Sequence, residues 1–261
     1  MRLGFLTSGS VDDVKFACQC RFGCLEVALF GDTPLLKGWK DFKAACDDHG
    51  VPVSAVSLFG QCYIGKASNA VRKSRRLFQA SADLACKLGA RTFISGSGVL
   101  EGVPVEEQWQ MVVDTMGPMV ARVQERGLKF AFYNCHWANV VTTPEAWARV
   151  LPFIAGAGIK FDPSHPAYDG RDWMGDMWKA GRRIMHCHAK DTLRIDGKLI
   201  PDPNPGLGAM NWGAFFGILY ELELDVDICI EPHSRVYGGE RRNAALLLSK
   251  RCLEQFLMPE L

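Results

Sequence analysis

The chain has 261 residues, 48% apolar and 23% charged, with 30 Lys and Arg against 29 Asp and Glu. That balance belongs to a globular protein with a large core, and a formal net charge of +1 excludes the broad basic footprint of a nucleic-acid binder. No apolar run approaches the roughly 18 residues that span a bilayer, and the basic stretch Arg72, Lys73, Arg75, Arg76 reads as a solvated helix face.

Short β-rich runs alternate with longer helical patterns along the whole chain. Strands are expected at residues 3–7, 24–29, 53–59, 92–95, 129–134, 159–162, 184–190 and 227–231. Between them lie amphipathic stretches at 68–88, 105–126, 144–155, 212–222 and 240–257. Thr143-Pro144-Glu145 reads as an N-cap followed by proline at the first helical position. Gly89, Gly127 and Gly158 stand where helices are expected to stop. No apolar signal core precedes the first strand pattern, and no CxxC pair occurs among the ten cysteines. Cys18, Cys20, Cys24, Cys86 and Cys229 lie in apolar runs, as small buried thiols do. A reducing cytoplasm is the expected compartment.

Each strand-to-strand connection is long enough for a helix, which implies a parallel sheet. Eight strands in a chain of this length favour closure into a single (β/α)8 TIM barrel of the α/β class. No linker or composition shift divides residues 1–261, so one domain is expected. The Gly- and Pro-rich stretch 196–211 reads as a long loop at the barrel mouth.

Five of the six histidines, His136, His165, His186, His188 and His233, fall at or just past the ends of expected strands five to eight. Those ends converge on one rim of a barrel, where such folds place their sites. Alternation puts His186, His188 and Lys190 on one face of strand seven, and that face points into the mouth because the other packs on helices. Strand six ends in Asp162, with His165 three residues on, and strand eight ends in Glu231. Acidic groups that end apolar strands are costly unless they are paired or bind a metal. Asp162, His188 and Glu231 make a mixed oxygen and nitrogen set suited to one divalent ion, Mn2+, Mg2+, Zn2+, Co2+ or Fe2+. The alternative reading of Lys190 is a salt bridge to a neighbouring carboxylate. Trp137, Trp212 and Tyr63 are candidates either for a sugar-stacking wall or for core packing.

The opening strand Leu3-Gly4-Phe5, Leu25-Glu26-Val27, Asp162-Pro-Ser-His165, His186-Cys-His188-Ala-Lys190-Asp191, the segment from Gly206-Leu-Gly208 to Asn211-Trp212, and Glu231-Pro-His233 occur in the order and spacing of a known family. Together they resemble the xylose-isomerase-like barrel superfamily of sugar phosphate isomerases and epimerases, with similarity to its inosose-dehydratase-like branch. The resemblance implies that Asp162, His188 and Glu231 are metal ligands, that His165 and Arg194 contact substrate, and that Glu26 fills a frequent acidic position. The family's fourth ligand is a glutamate ending strand five, and here the sequence departs. Strand five reads Lys-Phe-Ala-Phe-Tyr-Asn-Cys-His, and alternation groups Phe130, Phe132, Asn134 and His136 on one face. Either Asn134 or His136 then completes the metal site or contacts substrate, unless the protein supplies only three ligands.

The implied function is a metal-dependent isomerase or epimerase acting on a keto-sugar or related polyol. A metal-held carbonyl acidifies the adjacent C–H, giving enediolate chemistry. Glu231 is the expected base, with His165 and Lys190 as further catalytic groups and Asn134, His136, His186 and Arg194 as substrate contacts. The missing strand-five carboxylate weighs against a two-carboxylate epimerisation and keeps a lyase or dehydratase open. A non-catalytic sugar-binding protein is a further alternative, and phosphoester hydrolysis is disfavoured by the lack of extra carboxylates and of a basic groove. The expected partner is a small sugar-like molecule, with neither nucleic acid nor membrane, and similar barrels commonly form homo-oligomers.

Overall fold

The computed structural model describes residues 1–200, 202–233 and 236–259. Its strands are β1 Arg2–Thr7, β2 Cys24–Leu29, β3 Val53–Leu58, β4 Thr92–Ser95, β5 Lys129–Tyr133, β6 Ala157–Phe161, β7 Ile184–Ala189, β8 Leu193–Ile195, β9 Lys198–Ile200 and β10 Asp227–Ile230. All but β8 and β9 close into a parallel barrel in the order β1-β10-β7-β6-β5-β4-β3-β2. The helices are α1 Val11–Gln19, α2 Leu35–His49, α3 Asn69–Leu88, α4 Val105–Gln124, α5 Pro144–Val150, α6 Ser164–Tyr168, α7 Trp173–Ala180, α8 Trp212–Glu221 and α9 Arg242–Glu254. The expected (β/α)8 architecture is the observed one.

Two apolar layers follow from strand alternation. Outward side chains such as Val27, Val56, Phe93, Phe130, Phe132 and Phe161 join helix residues including Phe78, Trp147 and Phe215 in the main core. Inward side chains form a separate cluster that includes Leu6, Cys24, Ala28, Ala55, Ile94, Ala131, Tyr133 and Cys229. Most of these are small, which leaves the barrel axis room for polar groups.

Helix punctuation behaves as its chemistry demands. The side chains of Ser68 and Thr143 accept from the backbone N–H groups of Val71 and Ala146, and Gly89 closes α3 at φ +70°. Gly158 is different. It lies within β6, and the left-handed residue before that strand is Gly156, at φ +66°. A Cβ on Gly158 would come within 2.5 Å of the Arg183 carbonyl oxygen, so close approach of β6 to the chain entering β7 is what requires glycine there.

Five barrel strands end one residue sooner than their apolar patterns, at Leu58, Tyr133, Phe161, Ala189 and Ile230. The next residues include Asn134, Asp162, Lys190 and Glu231, whose side chains therefore stand at the rim. The stretch expected as an open mouth loop begins as a β8–β9 hairpin turning at Asp196-Gly197, both at positive φ. An Asp-Gly pair is the standard signal for such a two-residue turn. The rest is fixed by Asp191, which accepts from the N–H groups of Thr192, Met210 and Gly206 and from Trp212 Nε1, at 2.8–3.0 Å. The glycines and Trp212 of this motif thus serve the loop's own structure. Of the ten cysteines, all free, Cys24 and Cys229 are buried as expected, whereas Cys18 and Cys86 are exposed on helices.

Replacing Gly158 by alanine is expected to lower unfolding stability by about 1–3 kcal/mol, because the added methyl group must displace backbone. Urea denaturation of Gly158→Ala against the parent checks this.

Candidate metal centre and active site

The site is built outward from a buried carboxylate. Glu26 points inward from β2 with no exposed surface. Its Oε1 accepts from Ser57 Oγ, its Oε2 lies 2.6 Å from His186 Nε2, and both oxygens lie 2.9 Å from His188 Nε2. Burial pushes the Glu26 carboxyl up, but the charges and hydrogen bonds of His188 and His186 together hold it well below the usual carboxylate range. An ionised Glu26 requires an N–H at His188 Nε2, which leaves Nδ1 as the atom facing the mouth.

His188 Nδ1 lies 3.2 Å from Glu231 Oε2. Ligand atoms of Asp162, His188 and Glu231 all lie within 4.8 Å of one another. Asp162 uses Oδ1 to accept from the N–H and hydroxyl of Ser164, while its buried Oδ2 has no hydrogen-bond partner. A buried carboxylate oxygen without a hydrogen bond, aimed at an imidazole nitrogen and a second carboxylate, suits a divalent cation. Glu26 behind His188 supplies the carboxylate that orients a ligating histidine. Glu26, His186 and His188 also converge closely enough to count as a donor set, but their hydrogen bonds to one another already satisfy them.

Positive groups surround the same oxygens. Lys190 Nζ lies 3.4 Å from Glu231 Oε2 and 3.8 Å from Asp162 Oδ2, and Lys160 Nζ lies 3.9 Å from Asp162 Oδ2. His165 Nε2 is 3.3 Å from that atom. Burial raises the Asp162 carboxyl, yet Lys190, His165 and Lys160 hold it well below the ordinary range; Glu231 is likewise lowered against burial by Lys190 and His188. Cys135 is lowered too: burial opposes it, but a hydrogen bond from His165, the Trp137 N–H and the charge of Lys160 favour the thiolate. A cavity of about 80 Å³ is lined by Cys135, Lys160, His165, Lys190, Glu231 and His233, the last paired with Asp202 at 2.6 Å, on its polar side and by Phe30, Phe59 and Trp137 on its apolar side. A roomier surface groove between α3 and α4, about 490 Å³, lies away from the strand ends and contains none of these groups.

The structure unites Asp162, His165, His188, Lys190 and Glu231, and sets apart the other sequence candidates. The face of β5 carrying Phe130 and Phe132 points outward to the helices, while Ala131 and Tyr133 point inward with Cys135 beside them. This corrects the expected facing of strand five. Asn134 lies past the strand end and pairs with the backbone of Asp162: Nδ2 donates to its carbonyl and Oδ1 accepts its N–H, both at 2.9 Å. His136 is exposed and lies outside the converging donor set, its ring centre 6.4 Å from that of His165. His186 is sealed beneath the mouth against Glu26, and Arg194 lies exposed on β8, donating to the Tyr168 carbonyl. Trp137 stands at the mouth, 52% exposed, but Trp212 and Tyr63 are buried. Lys160 was legible as a charge of the same parity as Asp162 within an apolar strand, and Phe59 as the end of strand three; neither was singled out.

Eight parallel strands with carboxylates, imidazoles and ammonium groups gathered at their C-terminal rim define a TIM barrel with a polar, ligand-ready mouth. The chain belongs to the xylose isomerase-like TIM barrel family, whose sequence model matches residues 17–254. Inosose dehydratase of Clostridium perfringens is 27% identical over 146 residues, which cover 55% of this chain and 47% of that protein. The chain thus matches about half the length of this curated relative. Among solved structures, the IolI protein with a bound zinc atom superposes with a TM-score of 0.81 at 17% identity, over 98% of this chain and 99% of that one. A 3-keto-D-glucoside 4-epimerase from E. coli gives 0.79 at 13% identity, over 98% and 99%. At these identities the likeness to solved structures establishes the fold. No helix among the described residues is long and apolar enough to cross a membrane.

Two outcomes follow from this arrangement. Glu26→Gln is expected to weaken divalent-metal affinity about 10- to 100-fold, because His188 loses the charge that orients it; competition with a chelator measures this. Burial pulls His188 and His165 toward the neutral form, but Glu26 raises the first and Asp162 the second above the ordinary histidine value. In the metal-free protein that stabilisation is complete below about pH 6.5 and is lost as pH rises through the raised values. The urea midpoint is therefore expected to be higher near pH 5.5 than near pH 8.5.

Proposed function

We propose that the chain is a divalent-metal-dependent enzyme that removes a proton next to the carbonyl of a keto-sugar or related polyol. The observation that carries this reading is the convergence of Asp162, His188 and Glu231 at the strand ends, with Asp162 Oδ2 buried and free of hydrogen bonds. The zinc atom in the structurally similar IolI protein supports it. Asp162, His188 and Glu231 would hold the ion. When bound there, a divalent ion supplies Lewis acidity toward a carbonyl and a neighbouring hydroxyl.

The chain's own groups do the remaining work. Glu231, kept ionised by Lys190 and His188, removes the proton. Lys190 faces the oxygens on which negative charge develops and stabilises it. His165, raised by Asp162, holds a proton at the cavity wall. Phe59, with Phe30 and Trp137 outside it, covers the apolar face of the cavity and limits water.

Two outcomes share this first step. Elimination of a β-hydroxyl needs one base and one acid, and the cavity lining offers Glu231 as carboxylate base with His165 as the acid. Within β5 and the turn after it no second carboxylate faces the cavity. The geometry therefore favours dehydration, in keeping with the sequence relative being an inosose dehydratase. Isomerisation or epimerisation is the second reading, in which His165 returns the proton that Glu231 removes; their positions on different strand ends around one cavity favour it.

Incubation of the metal-loaded protein with keto-sugars and keto-inositols in D2O tests both. Dehydration gives loss of water and a conjugated product, whereas isomerisation gives deuterium incorporation without loss of mass as water. Neither change with any such substrate, in protein that holds its metal, would leave the non-catalytic sugar-binding reading. Asp162→Ala is expected to abolish metal retention and to lower turnover on the order of 10³-fold, and unchanged metal content would remove Asp162 from the ligand set.

A further inference from the structure

Two lysines are enclosed beside the candidate ligand set, and one of them is held only by a long ionic contact. Lys160 points inward from β6 and is 1% exposed; its Nζ makes no hydrogen bond among the described residues and only a 3.9 Å ionic contact with Asp162. Lys190 is also buried, with ionic contacts of 3.4 and 3.8 Å. Both line the cavity that Glu231 and His165 line. An ammonium that faces a small cavity and donates no hydrogen bond to the protein is placed to meet acceptors brought into that cavity.

Charge balance indicates what brings them. Glu26 is matched by His186 and His188 in the barrel interior. In the mouth, the two ammonium groups already balance Asp162 and Glu231. With Cys135 paired to His165 and His233 to Asp202, a divalent ion on Asp162, His188 and Glu231 leaves the mouth with an excess of positive charge, which is poorly screened in the enclosure. The opposite wall of Phe30, Phe59 and Trp137 supplies no anion.

We propose that the substrate carries an anionic oxygen group, a carboxylate or a phosphate, which lodges against Lys160 and Lys190, so that the enzyme acts on a keto acid or sugar phosphate and not on a neutral keto-sugar. The charge balance rests on the metal reading above; the placement of Lys160 at the cavity does not.

Calorimetric titration of Mn2+-loaded protein with 2-keto-D-gluconate, D-fructose and inorganic phosphate tests this. The first two differ only in a carboxylate in place of a hydroxymethyl group. The keto acid or phosphate is expected to bind at least about ten-fold more tightly than fructose. Tight binding of the keto acid alone assigns a carboxylate, and tight binding of phosphate alone assigns a phosphate group. Lys160→Met is expected to erase the preference of the anionic probes over fructose. Equal affinities in the parent protein overturn the proposal, as does a preference that survives in Lys160→Met, which would assign the anion to groups other than Lys160. Should Lys160→Met fail to fold, thermal unfolding of the parent with each probe decides: stabilisation by an anionic probe but not by fructose supports the proposal, and equal shifts overturn it. Bound Mn2+ counted in the same samples separates the two readings. Protein that retains no metal yet prefers the anion sinks the metal centre and keeps the lysine site; metal-loaded protein without preference does the reverse.

Discussion

Glu26 has no access to water, so its charge survives only through what the barrel interior brings to it. Ser57 and two imidazoles from β7 supply those contacts. The small inward residues Cys24, Ala28, Ala55, Ala131 and Cys229 make room for this polar plug where a barrel of this size is usually filled with aliphatic side chains. Removing any one partner would leave a buried charge or donor uncompensated, which is far costlier than the loss of one exposed ion pair. Because Glu26 holds Nε2 of His188, it also dictates that Nδ1 faces Asp162 and Glu231. The chemistry at the rim thus depends on an interaction one layer below it.

The rim is held from the sides as well. Asn134 clamps the backbone of Asp162, and Ser164 occupies one oxygen of its carboxylate, so that the other is aimed at the cavity. Asp191 ties down the segment between β9 and α8 by accepting from Gly206, Met210 and Trp212. These supports explain why polar residues crowd the sequence beyond each strand end: some face the cavity, and others fix the chain that carries them. Such preorganisation is what separates a catalytic mouth from a collection of polar side chains.

Much of this was legible in the sequence. Apolar runs of strand length, the cap at Thr143 and the stop at Gly89 placed most of the barrel, and the parity of His186, His188 and Lys190 placed β7 correctly. The reading failed where alternation was extended past a strand end. In β5 both faces are apolar or aromatic, so the pattern could not show which one meets the helices, and Phe132 was assigned inward in place of Tyr133. Asn134 lies outside the ladder, where parity no longer predicts direction. Glu26 could be recognised as an acidic residue in an apolar strand, but its imidazole partners lie 160 and 162 residues away in sequence and appear only on barrel closure. The β8–β9 hairpin was missed even though Asp196-Gly197 is a strong local turn signal, because its strands are short and exposed.

The central claim is that His188, oriented by Glu26, joins Asp162 and Glu231 around one divalent ion. X-ray absorption spectroscopy of zinc-loaded protein tests it most directly. The account predicts one zinc per chain in a shell of oxygen and nitrogen at about 2.0–2.2 Å, with the scattering signature of a single imidazole. A sulfur neighbour near 2.3 Å would instead place Cys135 in the shell, and two or more imidazoles would put the metal among other histidines; either result, or failure to retain zinc, would contradict the account.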